Sequence, residues 1–507
     1  MSGWFHPRKI VLLIFYPIIP MRHAFQYLAQ SIFTVGIFAS MSTSSFASES
    51  TTSWKLGEPI VSFWAGPIPI TDSDAKLMAE GHWNLVPIAV NRGRPKDMSA
   101  ADFVNSQLDI LQRYGLRGNL STWNTFDLDS EQGWNELDAL VQGVKNHPAL
   151  YAYNIKDEPG TGLFPILKRI REFILERDSK HLIFTNLYPI GASNKQLGLE
   201  GSPEIAYRAY LGTFLQELQP RLLSYDHYHF GTTGDGKTFF LNLALVRQAA
   251  LDANIPFMVI VQACSWTSSM RIPTGEELRW LTYVTLAYGA QGIAHYVYGW
   301  PGHDGGMIYP SSVIGTEGRG AVTGGPPTPL YYFTKELNKE FVAVARELGS
   351  MHSLGAYHVG TIPEGGIPLP EDAAFQFDPP VPTKELKELV DPAQQKLSKA
   401  EIEALFDQGG LKGSRLEGYL VGMFGESQTP THALVVNLDY RTFSGSGHAR
   451  KDEFLDPLFG KVARQALVGP GKLEVFNPIS AEWTAVDANR VELNLPPGAG
   501  LLVRLAP

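Results

Sequence analysis

Eight apolar runs divide the chain between residues 58 and 301, and segments with helical spacing separate them. The runs cover residues 60–67, 83–90, 116–122, 150–155, 181–187, 222–228, 256–263 and 292–298. Strands that are apolar on both faces and alternate with helices form parallel sheets that are buried between those helices. Eight such repeats predict an α/β fold of the (β/α)8 barrel type, a TIM barrel. A doubly wound open sheet is the alternative, but no Gly-x-Gly-x-x-Gly motif follows the first run.

The segments between these runs carry apolar residues at the spacing of amphipathic helices. Helices are predicted at residues 100–114, 134–147, 164–177, 205–218, 239–254 and 276–288. A last helix is predicted at 331–348, because Pro327 and Pro329 stand before it and Gly349 follows it. The barrel is therefore expected to occupy residues 53–352.

The pattern changes twice after the barrel. Residues 353–415 are rich in proline and contain a short charged helical run at 384–406, which indicates an insertion or linker. Short alternating strands follow, at residues 418–424, 433–438, 472–476, 483–486, 491–495 and 501–505. Turn residues separate these strands at short intervals, so residues 416–507 are predicted to form a small antiparallel β-sandwich.

The N-terminal residues have the pattern of a targeting segment. No acidic residue precedes Glu49, and an apolar run at 32–41 lies between Arg22 and the small-residue site at 45–47. This arrangement predicts a leader over residues 1–47 and export to the periplasm or the medium. A membrane anchor through this run and the earlier one at 10–19 is the alternative. Once the leader is removed, no stable membrane insertion is predicted.

Composition narrows the classes of partner. The 507 residues include 42 Lys and Arg against 51 Asp and Glu, a formal charge of −9, without a basic cluster. Phosphate binding depends on clustered positive charge, so nucleic acid is excluded as a partner. Aromatic residues make up 11% and charged residues 18%, a balance that suits stacking on neutral sugar rings or an aromatic core. Cys264 is the only cysteine, which excludes an intramolecular disulfide and a cysteine-based zinc site.

Candidate chemistry lies where the fourth strand ends. The strand continues into Asp157 and Glu158, and Pro159 and Gly160 then force a turn. Functional residues of a TIM barrel gather at the C-terminal ends of its strands. Desolvation and mutual repulsion at that position can keep one carboxyl protonated near neutral pH, as a general acid requires. The alternative is structural: either residue could cap the next helix or pair with Lys156.

The residues at 157–159 resemble a motif of clan A of the glycoside hydrolases, and further segments extend this resemblance along the barrel. These segments are residues 185–189, 223–228, 277–280, 286–292 and 295–298, and the end of the sandwich at 495–504 also resembles exported members. The resemblance implies a retaining glycosidase on a TIM barrel, with Glu158 as the acid/base. It implies no cofactor.

Two positions depart from the clan pattern. Asp157 stands where the clan has an asparagine, and Gln262 stands at the end of strand seven, where the clan has its nucleophilic glutamate. An amide is not a competent nucleophile, so Asp226, at the end of strand six, is the candidate second carboxylate. Asp226 could instead only hydrogen-bond to His227 or Tyr225. Retention requires carboxyls about 5–5.5 Å apart and inversion about 6.5–9.5 Å, a distance that sequence does not supply.

Aromatic and polar residues at or beyond the strand ends are the predicted sugar contacts. Indole and phenol rings stack on the C–H face of a pyranose, and amides and guanidinium groups bind hydroxyls. The candidate substrate-binding residues are Trp64, Asn91, Arg92, Trp123, Asn124, Asn186, Tyr188, Tyr228, Gln262, Trp266, Tyr298 and Trp300.

The predicted function is hydrolysis of O-glycosidic bonds in a poly- or oligosaccharide, with Glu158, Asp157 and Asp226 as candidate catalytic residues. A catalytically degenerate carbohydrate-binding barrel is the first alternative. A polysaccharide lyase is the second, with Tyr228 or His227 as base and Arg92 facing a uronate. No metal site is predicted, because the histidines lack ligand spacing. Glu277 is assigned to a helix-capping box with Thr274. The sequence leaves the oligomeric state open.

Overall fold

The computed structural model describes residues 57–123, 125–232, 235–310, 313–314, 321–385, 416–440, 465–486 and 488–506. The predicted leader at 1–47 lies outside the described residues, as do Asn124 and most of the predicted helical run at 384–406.

Eight parallel strands form the predicted barrel. They are β1 (Ile60–Trp64), β2 (Leu85–Ala89), β3 (Arg117–Ser121), β4 (Leu150–Asp157), β5 (Leu182–Leu187), β6 (Leu223–His227), β7 (Phe257–Gln262) and β8 (Gly292–Tyr296). Their order in the sheet is β1-β8-β7-β6-β5-β4-β3-β2, with every neighbouring pair parallel. Strand β4 runs further than predicted and ends at Asp157. The TIM-barrel prediction is confirmed.

Asn84 and Ser62 join the two ends of this sheet. The Asn84 Oδ1 accepts from Val61 N at 2.8 Å, and Asn84 N donates to Val61 O at 3.0 Å. The Ser62 hydroxyl donates to Leu85 O at 2.9 Å. These bonds connect β1 to β2 and its preceding residue, so side-chain bonds and one main-chain bond close the barrel at this seam.

The apolar strands serve two cores because successive side chains point to opposite faces. One set fills the interior of the barrel, and it consists of Ile60, Leu85, Ala152, Leu182, Phe184, Leu222, Met258, Ile260 and Ala294. The alternate residues pack against the surrounding helices, among them Val61, Val86, Leu120, Ile183, Val259 and Ile293. This two-sided burial explains the continuous apolar runs in the sequence.

Nine α-helices lie in the part of the chain that the structure describes. They are α1 (Asp72–Glu80), α2 (Ala100–Arg113), α3 (Glu131–Val144), α4 (Phe164–Arg177), α5 (Asn194–Leu197), α6 (Pro203–Leu218), α7 (Phe239–Asp252), α8 (Gly275–Ala287) and α9 (Pro329–Leu348), with a 3-10 turn at Thr161–Leu163. The predicted helices are confirmed, and α1 and α5 are additional. Helix α8 begins with the predicted capping box of Thr274 and Glu277. No described helix is long and apolar enough to span a bilayer.

Two antiparallel sheets follow the barrel. The larger contains β9 (His352–Ile362), β10 (Gly418–Gly425), β11 (His432–Asn437), β12 (Leu473–Asn477), β13 (Glu482–Val486) and β14 (Gly500–Leu505), in the order β9-β10-β11-β14-β12-β13. Short strands at Ile367–Pro368 and Lys384–Glu385 pair with β9. The smaller sheet contains Gln376–Asp378, Ala466–Val468 and Arg490–Glu492. Two-residue strands also pair at Cys264–Ser265 with Asp304–Gly305 and at Val313–Ile314 with Ala321–Val322. The predicted sandwich is confirmed.

The larger sheet begins earlier than the predicted boundary at residue 416. Strand β9 pairs with β10, for example Ala356 with Gly422, although residues 353–415 were predicted to be an insertion or linker. The buried His358 and Thr361 interrupt the apolar alternation of β9, which conceals the strand in the sequence. The predicted helical run from residue 384 also starts differently, because Lys384 pairs with Thr361 in a short strand.

The larger sheet packs against the barrel on one face and against the smaller sheet on the other. Leu420, Leu434 and Leu502 belong to the core that includes helix α8. Val421 and Val435, at alternate positions, belong to a second core between the two sheets. Alternation along these strands thus ties the sandwich to the barrel.

Candidate active site

Three carboxyl side chains lie together at the C-terminal ends of β4 and β6. Asp157 is the last residue of β4, Glu158 follows it, and Asp226 lies near the end of β6. Glu158 has a φ of 43°, in the left-handed region that non-glycine residues rarely adopt, and its N–H donates to Asn186 O at 2.9 Å. Strained backbone of this kind often occurs at functional sites. The structure thus brings together the three candidate catalytic residues predicted from the sequence.

Asn186, at the end of β5, bridges two of these carboxyls. Its Nδ2 donates to Asp157 Oδ1 at 3.0 Å and to Asp226 Oδ1 at 2.8 Å. The Ser224 hydroxyl donates to Asn186 Oδ1 at 3.2 Å, which fixes the orientation of the amide. Asn186 is 2% exposed, so this predicted sugar contact instead holds the acidic residues in position.

The carboxyls of Glu158 and Asp226 interact, and the interaction shifts their pKa values in opposite directions. Burial, followed by the nearby charge of Asp157, raises the pKa of Glu158 to about 7, and the bond with Asp226 opposes this shift. Burial and the charge of Glu158 raise the pKa of Asp226 well above its usual range. Two carboxyls in contact away from solvent cannot both ionise readily. The pair therefore retains a proton at neutral pH.

Asp157 differs from this pair in its surroundings. Burial raises the pKa of its carboxyl, while the Asn186 hydrogen bond and the charge of Lys156 oppose the rise. Asp157 also lines a cavity of about 490 Å³ at the mouth of the barrel. It is therefore the member of the acidic group that faces this space.

The cavity brings together five of the predicted sugar contacts. Trp64, Asn91, Arg92, Trp123 and Trp300 all line it. The Arg92 guanidinium lies over the Trp300 ring, 4.4 Å from its centroid. Indole faces and polar side chains in one concave site are typical of sugar binding.

A cluster of aromatic rings lies beside the cavity. The rings of Tyr228, Trp266 and Tyr296 contact one another, with centroid separations of 4.7, 5.1 and 5.1 Å. Tyr296, which was not among the predicted contacts, lines the cavity, and its hydroxyl lies 3.0 Å from His303 Nε2. Tyr188 is half-buried near Glu158. Burial is the main cause that raises the pKa of Tyr188, and the charge of Glu158 is the second.

Two predicted sugar contacts, Gln262 and Tyr298, do not line the cavity, and their side chains pack inside the protein. Gln262 is 0% exposed, and its Oε1 accepts from Phe230 N at 2.8 Å while its Nε2 donates to Arg271 O at 2.7 Å. Tyr298 is 1% exposed, and its ring packs 4.5 Å from Phe63 and 5.1 Å from Trp83. Gln262 holds loops, and Tyr298 fills the core behind the barrel.

His227, the last residue of β6, and His229, in the loop after it, do not line the cavity. His227 Nδ1 is 2.9 Å from Asn242 Oδ1 in α7, and burial lowers the pKa of this histidine to about 4. His229 Nε2 lies 2.7 Å from the Tyr440 hydroxyl of the sandwich. Neither contact suits the base of a lyase. Among the described residues, no group of three or more His, Cys, Asp or Glu side chains has the arrangement of a metal site.

Asn119 and Asn154 line the cavity and were missed by the sequence reasoning. Both are buried, at 2% and 1% exposure, on the neighbouring strands β3 and β4. The sequence contains a clue to each, because an asparagine within an apolar strand is unusual unless its amide has a partner. Candidate sugar contacts were predicted only at or beyond the strand ends, and these two asparagines lie inside the strands.

Comparison with known proteins supports the fold. No protein-family model matches the chain, and no curated protein sequence matches it. A solved glycoside hydrolase is similar over 87% of this chain and 91% of its own, with a TM-score of 0.50 at 11% identity. A family 5 glycoside hydrolase from Bacteroides vulgatus covers 88% and 89%, with a TM-score of 0.48 at 11% identity. An endo-1,4-beta-D-mannanase from Thermotoga petrophila covers 56% and 99%, with a TM-score of 0.39 at 13% identity.

These likenesses concern the fold. The chain is a TIM barrel followed by a β-sandwich, which is the fold that the resemblance to clan A glycoside hydrolases implied.

Proposed function

We propose that the protein is a glycoside hydrolase that cleaves O-glycosidic bonds of an oligo- or polysaccharide, with Glu158 as general acid. The observation that carries this proposal is the position of Glu158 directly after β4 and beside Asp157, where burial and the charge of Asp157 raise the pKa of Glu158 to about 7. A carboxylic acid that stays protonated at neutral pH can donate to a leaving oxygen. The aromatic cavity beside it supports a sugar as the substrate.

Each of the three acidic residues has a separate role in this proposal. Glu158 transfers its proton to the glycosidic oxygen as the bond between that oxygen and the anomeric carbon breaks. Asp157, which lines the cavity, stabilises positive charge at the anomeric carbon or deprotonates the attacking water. Asp226 is a positioning residue: its own carboxyl stays protonated beside Glu158, and its hydrogen bond to Glu158 lowers the pKa of that group. Water supplies the new hydroxyl, and Glu158 regains its proton from solvent.

Asp226 is less suited than Asp157 to the role of second catalytic carboxylate. Asp226 is 2% exposed and does not line the cavity, whereas Asp157 does. Asp157 is therefore the better candidate for the second catalytic carboxylate.

The test is hydrolysis by the purified protein of a panel of plant, algal and bacterial glycans, with Glu158→Gln beside the wild type. Loss of a general acid lowers kcat by about 10²–10⁴-fold. Glu200→Gln is the matched control, because Glu200 is exposed on the loop that follows β5. Dinitrophenyl glycosides sharpen the test, since their leaving group needs no protonation and Glu158→Gln should still release it. Glycan hydrolysis unchanged by Glu158→Gln would refute the assignment.

A second candidate function is carbohydrate binding without hydrolysis. It is favoured by Gln262, which is the last residue of β7. The side-chain amide of Gln262 hydrogen-bonds to main-chain groups of Phe230 and Arg271. Clan A enzymes place their nucleophile at that strand end. Binding of oligosaccharides without turnover would support this function, and products with an unsaturated ring would indicate a lyase.

Export belongs to the same proposal, and the leader pattern at residues 1–47 supports it. The experiment is expression of the full chain in a bacterial host, followed by fractionation and N-terminal sequencing. A mature chain that begins near residue 48 outside the cytoplasm is the expected result. A full-length chain retained in the cytoplasm would contradict export.

A further inference from the structure

Two buried amides that line the cavity carry polar atoms without a hydrogen-bond partner among the described residues. In the part of the chain that the structure describes, Asn119 Oδ1 and both polar atoms of the Asn154 amide have no hydrogen-bond partner. Both residues line the cavity that Asp157 also lines. They lie on adjacent strands, where Asn119 pairs with Ala152 and Ser121 with Asn154.

Packing alone does not account for these asparagines. Elsewhere in the barrel interior, inward positions are filled by residues such as Leu85, Phe184 and Ile260. A leucine has the same branched arrangement of heavy atoms as an asparagine and would leave no polar atom unpaired. A buried amide without a partner lowers stability, so its presence beside the cavity points to a ligand.

The available atoms match hydroxyl groups. Asn154 offers a donor and an acceptor side by side, Asn119 offers an acceptor, and Trp123 Nε1 is a further donor without a partner among the described residues. A hydroxyl both donates and accepts, so adjacent hydroxyls of a sugar can satisfy such a set. The Asp157 carboxyl in the same wall disfavours a carboxylated sugar at this end of the cavity.

We propose that Asn119 and Asn154 are specificity residues that bind the hydroxyls of a neutral sugar at the floor of the cavity. This inference rests on the proposed carbohydrate substrate, and it names the class of that substrate. It does not require the protein to hydrolyse the sugar, so binding can test it separately from the catalytic role of Glu158.

The experiment measures binding of methyl 1-thio-β-D-manno-, gluco- and galactopyranoside by saturation-transfer NMR and calorimetry. Sulfur-linked glycosides resist hydrolysis, so turnover does not disturb the measurement. At least one probe should bind the wild type, and Asn119→Leu and Asn154→Leu should each weaken that binding about tenfold or more. The control is Asn105→Leu, because Asn105 also has an unpartnered Oδ1 but lies on α2 outside the cavity lining.

Thermal unfolding distinguishes ligand binding from a structural role. If the amides serve a ligand, Asn154→Leu should melt at the same temperature as the wild type or higher, while its affinity falls. Unchanged affinity in Asn119→Leu and Asn154→Leu would overturn the inference. So would an Asn154→Ser variant that is much less stable than the wild type but binds the probe equally well. Binding of methyl glucuronides alone, or of no probe at all, would overturn it as well. Probe binding that depends on Asn154 in a protein that hydrolyses nothing would refute only the proposed hydrolase.

Discussion

At the scale of single residues, the place of a residue along a strand was easier to predict than the contacts of its side chain. The turn forced by Pro159 and Gly160 correctly indicated that Asp157 and Glu158 end a barrel strand. The bridge that Asn186 makes between Asp157 and Asp226 could not be predicted, because it depends on how β4, β5 and β6 bring distant residues together. Sequence separation conceals such a contact, and only the packed barrel determines it.

The missed and misplaced site residues have a common physical cause. Side chains near a strand end face either the cavity or the helix layer, and a small twist decides which. Tyr298 lies just beyond β8 and turns to the core, where it packs against Trp83. Asn154 lies inside β4 and faces the cavity floor. Counting from strand ends therefore selected a tyrosine that faces the core and omitted an asparagine that lines the cavity.

The raised pKa of Glu158 predicts a pH-dependent effect on stability. Because this pKa is about 7 in the folded protein, against an ordinary value of 4.5, the folded state binds more protons than the unfolded state between these pH values. The wild type should therefore lose stability as pH rises through this window, whereas Glu158→Gln should not incur this loss. The free energy of unfolding of Glu158→Gln, relative to that of the wild type, should therefore increase by about 1–3 kcal/mol from pH 5 to pH 8. Urea unfolding at both pH values measures it.

Glu200→Gln again provides the control for that comparison, since its side chain is exposed. Its difference from the wild type should stay constant across the two pH values. A difference for Glu158→Gln that is equally constant would show that Glu158 is ionised in the folded protein at both.

At the scale of elements, the barrel was predictable because eight strands repeat one pattern. Strand β9 was not, because buried polar residues such as His358 interrupt its alternation. The loops after β6 and β7 were also beyond prediction. Gln262 joins them, since its amide bonds to Phe230 N and O and to Arg271 O. The side chain of Gln262 thus connects the two loops through hydrogen bonds to their main-chain groups.

Restoring the expected carboxylate at this element should destabilise the protein. In Gln262→Glu, an oxygen would replace the Nε2 that donates to Phe230 O at 3.0 Å and Arg271 O at 2.7 Å. Oxygen would then face oxygen at a buried position, or the carboxyl would have to stay protonated. The free energy of unfolding should fall by about 2–4 kcal/mol. Urea unfolding followed by tryptophan fluorescence measures the change.

Gln112→Glu provides the comparison, because Gln112 is an exposed residue of α2. Its unfolding midpoint should match that of the wild type. Gln262→Glu should also gain no retaining glycosidase activity, since residue 262 is fully buried. A stable variant that acquired such activity would show that the side chain can reach the substrate.

At the scale of the whole molecule, the sandwich completes the outer layer of the barrel. Leu420, Leu434 and Leu502 belong to the same core as the barrel helices. A buried polar network adds to this contact: Arg271 donates to Glu277 at 2.6 Å and to Asp235 at 2.9 Å. The sequence indicated two separate units because its pattern changes after residue 352, and patterning along a chain does not report contacts between units.

Tyr440 links the sandwich to this network, and its removal should weaken the whole fold. Its buried hydroxyl donates to Asp235 Oδ2 at 2.9 Å and lies 2.7 Å from His229 Nε2. Tyr440→Phe leaves both groups short of a partner, so the free energy of unfolding should fall by about 1–3 kcal/mol. Tyr332→Phe, at a residue that is 61% exposed, should change nothing. Because barrel and sandwich share a core, circular dichroism and tryptophan fluorescence should report one coincident transition in both variants. Two separated transitions in Tyr440→Phe would show that the sandwich unfolds independently of the barrel.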